Sequence, residues 1–139
     1  MPRLASLLLC LLVALPAFAE RKQTFGDLDV HYSVFNSSFL QPDIAAAAGL
    51  TRSKTGGVLN VAVLKAGKGV PAKVSGQSKN LLGQTSTMSF KQVLESGAVY
   101  YLAEFQLRER EILTFSLSVQ VGDSAPHSFT FNQEVFPDE

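Results

Sequence analysis

Five apolar side chains stand at every second position from Leu113 to Val121, interleaved with Thr114, Ser116, Ser118 and Gln120. A period of two puts all five on one face of an extended strand and the polar four on the other. Such a strand is stable only when a second layer covers its apolar face, so the chain must build at least two layers. The same signature recurs in Leu28, Val30, Tyr32 and Val34, and again in Val99, Tyr101, Ala103, Phe105 and Leu107. Val58 to Leu64 is apolar on both faces and reads as a central strand. Val70 to Lys79, Ser86 to Leu94 and Phe129 to Val135 are further strands. Turn signals separate them at Ala66-Gly67-Lys68-Gly69, Asn80-Leu81-Leu82-Gly83-Gln84, Glu95-Ser96-Gly97, Arg108-Glu109-Arg110 and Gly122 to Pro126. About seven short strands at this spacing predict an all-β fold, an antiparallel β-sandwich of Ig-like architecture. The paired cysteines around a tryptophan that mark true immunoglobulin domains are missing, since the chain has 1 Cys and 0 Trp.

One stretch breaks the pattern. Pro42-Asp43 opens the run Ile44 to Ala48, and Gly49 closes it. Proline in the first turn and glycine past the end are helix start and stop signals, so one short helix is expected there. It belongs to a long excursion from Phe35 to Gly57, in a fold where short hairpins dominate.

The first residues carry a different pattern. Arg3 precedes an apolar run from Leu4 to Leu15, Pro16 breaks it, and Ala17-Phe18-Ala19 places small residues at a cleavage site. This predicts a signal peptide over 1–19 and a single exported domain over 20–139. The run is shorter than the roughly 20 apolar residues of a membrane span, so no anchor is expected after cleavage. Cleavage removes Cys10, the sole cysteine, and leaves Glu20 first, where a lipoprotein would need a cysteine. With 12 Lys and Arg against 12 Asp and Glu, the chain lacks the basic footprint that nucleic acid requires. It also lacks the basic excess of a peripheral membrane binder.

The combination of His31 to Leu40, Leu50-Thr51-Arg52-Ser53-Lys54 with Gly57 and Asn60, Asn80 to Gln84, Tyr100-Tyr101 and Ala125-Pro126-His127 resembles a family. It is the small exported Gram-negative family catalogued as domain of unknown function 4426, and the likeness covers essentially the whole mature chain. The resemblance implies a periplasmic location and carries no assigned activity.

Candidate chemistry is sparse. Gly122-Asp123-Ser124, with His31 and Asp43 upstream, echoes a serine-protease order, but Ala125-Pro126 stands where an oxyanion loop is needed, and a turn explains the residues. His31 and His127 supply two metal ligands where three or four are required. Asp27 with Asp29 and Glu109 with Glu111 read as solvated edges rather than as a glycosidase pair. Gly67-Lys68-Gly69 is too short to cradle phosphate. Asn36-Ser37-Ser38 would be a glycosylation acceptor only in a eukaryotic secretory pathway. No catalytic or cofactor group is assigned. The leading expectation is a non-enzymatic periplasmic module that binds an envelope protein or a small ligand, with a small hydrolase or a metal carrier as alternatives. The expected binding residues are Asn36, Arg52 and Lys54 on the excursion and Asn80 and Gln84 on the second connection.

Overall fold

The computed structural model describes residues 21–137. The expected leader, its cleavage site and the last two residues lie outside them. Ten strands run β1 (Arg21–Phe25), β2 (Leu28–Asn36), β3 (Gly56–Lys65), β4 (Lys68–Gly69), β5 (Lys73–Lys79), β6 (Thr85–Met88), β7 (Lys91–Glu95), β8 (Ala98–Gln106), β9 (Glu111–Gln120) and β10 (His127–Val135). They form two antiparallel sheets, and the fold is the expected all-β sandwich with one short helix, α1 (Pro42–Ala48). The larger sheet has the order β1-β2-β3-β8-β7, with β4 hairpinned onto β3; the smaller has the order β10-β9-β5-β6.

Three differences raise the strand number above seven. The polar β1 alternates weakly and is extended because it pairs with β2. The two-residue β4 follows a tight turn at Ala66-Gly67, where both residues have positive φ. The stretch read as one strand from Ser86 to Leu94 is two: β6 pairs with β5, and after Ser89-Phe90 the chain crosses to the other sheet, where β7 pairs with β8.

The apolar faces meet as their period demands. Val30, Leu59, Val61, Val63, Phe115 and Val119 are fully buried between the sheets, and Leu117 is 2% exposed. Phe105 and Phe129 pack against this core but remain partly exposed, because each sits near the rim of the layer. Rings from both sheets interlock at one side: Tyr32 lies 4.4 Å from Phe131, and Phe115 lies 5.2 Å from Phe131.

A second, smaller core lies on the outer face of the larger sheet. There Leu40, Ala45, Ala48 and Leu50 cover Val58, Val93 and Leu102. This explains why β3 is apolar on both faces. The helix ends as its sequence predicts, with Gly49 at φ 68° while its N–H bonds to the carbonyls of Ala45 and Ala46.

Candidate functional site

The excursion between β2 and β3 is tied shut at its base. The fully buried Ser37 hydroxyl donates to the Ser53 carbonyl and accepts from the Ser53 N–H, both at 2.9 Å. Arg52 Nη2 donates to the Ser38 carbonyl at 3.0 Å, bracing the 3-10 turn Ser37–Phe39. That turn holds Phe39 outward, 70% exposed.

Phe39 stands over a groove of about 500 Å³. Its floor is the outer face of the larger sheet, with Phe35, Asn60, Tyr100 and Leu102; the excursion gives one wall, including Ile44, and Glu95-Ser96 the other. Register makes the floor. Asn60 pairs with Leu102 across β3 and β8, and Ala98 pairs with Glu95 across β8 and β7. Asn60 interrupts an otherwise apolar strand, and its Oδ1 is closed off from solvent without a hydrogen-bond partner. An orphaned buried acceptor costs about 1–3 kcal/mol, so the position carries a penalty that an aliphatic residue would avoid.

A second concavity of about 310 Å³ is polar and lies between the sheets. Asn80, Gln84, Glu104, Arg108 and Glu111 line it, with Met88 and Leu113 behind. Asn80 and Gln84 close the β5–β6 hairpin rather than a free-standing connection. Asn80 Nδ2 donates to Gln84 Oε1 at 2.8 Å, and Asn80 Oδ1 accepts from the N–H groups of Leu82 and Gln84. This brace leaves Leu81 and Leu82 at the tip, 79% and 85% exposed.

The five residues singled out by sequence are therefore distributed. Asn80 and Gln84 are joined at the polar cleft. Arg52 supports the Phe39 turn, Lys54 is exposed beyond it, and Asn36 Nδ2 donates to the Phe136 carbonyl at 3.1 Å. Asn60, Tyr100, Glu95 and Phe39 were not among them.

The two histidines face different ways. His31 alternates with the buried Val30 and Tyr32 and so lies on the outer face of its sheet. His127 stacks on Phe25 with ring centroids 4.5 Å apart. Met88 is buried in the core. Among the described residues no group of three His, Cys, Asp or Glu is placed to hold a metal ion. Nor is any described helix long and apolar enough to cross a membrane.

No functionally curated protein matches the sequence. Among solved structures, a DUF4426 family protein from Pseudomonas aeruginosa PAO1 is 51% identical, with a TM-score of 0.84 over 86% of this chain and 97% of that one. FetP from uropathogenic Escherichia coli strain F11 shares the fold at 13% identity, with a TM-score of 0.65 over 87% of this chain and 96% of that one. A copper-bound variant of the same FetP is similar at 14% identity and a TM-score of 0.65, over 86% of this chain and 96% of its own. The profile described as "Domain of unknown function (DUF4426)" matches residues 22–138. The chain belongs to the DUF4426 family.

Proposed function

We propose that this protein is a non-enzymatic periplasmic binding module, and that it binds through the groove beneath Phe39. One observation carries the reading: the fold spends an extra helix and a braced turn on walling a concave apolar surface, and leaves a large ring exposed at its rim. The volume falls in the range of small-ligand pockets, about 300–1,000 Å³. Its lining mixes apolar side chains with Gln41, Asn60, Glu95 and Ser96, which suits recognition. An acid–base pair or nucleophile with a base is absent from it. Arg52 serves the surface by bracing it, with Lys54 beside it. Asn80 and Gln84 belong to the polar cleft, which is a second, weaker candidate surface. The copper of the FetP variant finds no such support in the placement of His31, His127 and Met88.

Periplasmic location rests on the leader pattern. The family match begins at residue 22, close behind the expected cleavage site. Amino-terminal sequencing of the exported protein should give Glu20; a start at Met1 defeats the export reading.

The binding reading has its own test. A photo-crosslinking residue at position 39 should capture a component of the intact envelope, and the same probe at exposed position 81 should not. Ile44→Arg at the wall should abolish the position-39 adduct; because Ile44 also packs on the second core, the melting temperature should fall somewhat while the protein stays folded. Equal capture from both positions, or an adduct indifferent to Ile44→Arg in a folded protein, overturns the groove as the binding surface.

A further inference from the structure

The groove's lining is chemically lopsided. Glu95 is the one formally charged residue among those that line it, and it is an acid. Phe35, Phe39 and Tyr100 bring three aromatic rings to the same space, and ring faces attract cations. Asn60 adds an acceptor in want of a donor. The nearest lysine on this face, Lys91, turns away: its Nζ lies beside Gly49 at the end of α1, 3.2 Å from where a Cβ would stand.

Register sets the scale. Asn60 is level with Leu102, and Glu95 is level with Ala98, four residues along β8. Asn60 and Glu95 also stand on opposite sides of β8, so four residues along and two strands across separate the two polar positions by roughly 16 Å. Apolar and aromatic side chains occupy the interval. An anion meets Glu95 and aromatic faces, both unfavourable to it. A neutral apolar body satisfies the rings and leaves Glu95 idle. An elongated apolar body with a protonated amine uses both the rings and Glu95. The amine sits by Glu95, with Tyr100 two residues along from the partner of Glu95, and the apolar body lies along the rest of the groove.

We infer that the groove is a site for small amphipathic amines, an ammonium group carried on an elongated aliphatic or aromatic body. This rests on the groove being the binding surface, and the experiment separates the two claims. The probes are 4-phenylbutylammonium, 4-phenylbutanol and 4-phenylbutanoate, titrated into the full mature chain and followed by methyl and aromatic resonances of Ile44, Phe39 and Tyr100. The ammonium should bind about tenfold more tightly than the alcohol, and the carboxylate more weakly than either. Glu95→Gln should remove most of the ammonium's advantage and leave the alcohol's affinity unchanged. Glu95 ends β7 beside the Ser96-Gly97 turn and is partly exposed, so the variant should fold, and a parental melting curve confirms it. If alcohol and ammonium bind equally at these resonances, the amine proposal fails while the groove survives. If Glu95→Gln leaves the preference intact, the proposal also fails. If no probe moves these resonances, both the proposal and the groove reading fall.

Discussion

Phe115→Ala should lower the stability of the folded domain by about 3–5 kcal/mol, read as a fall in the urea midpoint at an unchanged slope. Phe115 is fully buried at the middle of β9. Its ring stacks on Phe131 at 5.2 Å and meets Phe105 edge-on at 5.4 Å, so it joins both sheets. Truncation loses the transfer free energy of the ring and leaves a cavity. Neighbouring strands, fixed by their ladders, cannot collapse into it. A domain of this size has about 5–15 kcal/mol in all, so the variant would sit near the edge of folding. Phe39→Ala removes an equally large ring, yet it should stay within about 0.5 kcal/mol of the parent, because that ring is in water. If Phe115→Ala costs less than about 1 kcal/mol, the two sheets are not packed as described.

Gly76→Val should be comparably damaging for the opposite reason. Gly76 faces the core from β5, opposite Leu117. A Cβ there would stand 2.7 Å from Leu117 Cδ2 and 2.8 Å from the Ser116 carbonyl oxygen. The first atom can swing aside, but the second is backbone held in the β5–β9 ladder. Two further methyl groups make the overlap worse. Overpacking of this kind costs about 1–3 kcal/mol, and a fixed backbone neighbour places the variant at the upper end or beyond. Urea unfolding again measures it, with Gly83→Val on the exposed hairpin as a misleading control to avoid, since Gly83 has φ 84° and would be strained in open space. Ser75→Val, one residue away and facing solvent, is the proper comparison and should be nearly neutral. A Gly76→Val protein as stable as Ser75→Val would mean that β5 lies farther from β9 than its register implies.

The sequence pattern led to the layers but not to every pairing. Alternation in β9 reports which side is buried, and its burial follows; β8 departs from it at Leu102, which the helix covers on the outer face. Alternation does not report the partner. Met88 and Phe90 keep the period of two while the chain passes from one sheet to the other, so one strand was read where there are two. In β1, edge pairing rather than burial holds the strand, and periodicity has nothing to register. The excursion from Phe35 to Gly57 was visible as a feature too long for a hairpin. The opposite wall of the groove was not, because Ala98, Tyr100 and Glu95 stand on the side of their strands that alternation assigns to water. A lone asparagine inside Val58 to Leu64 was the available sign. A polar residue in a doubly apolar strand asks what it faces.

The contact between the first and last strands sets a timetable. Arg21 Nη1 donates to the Asn132 carbonyl across 111 positions of sequence, and Phe25 stacks on His127 beside it. The first strand thus completes the wall that the last strand begins. Closing so long a loop is entropically costly, and nothing local rewards it until the final segment is present. A chain still short of β10 has Tyr32 and Phe115 without the ring that bridges them, so it lacks the cooperative core that would lock it. The closed sandwich therefore needs the strand His127–Val135 in place. For a protein without disulfides to trap partial structures, the order of arrival does the work of a latch.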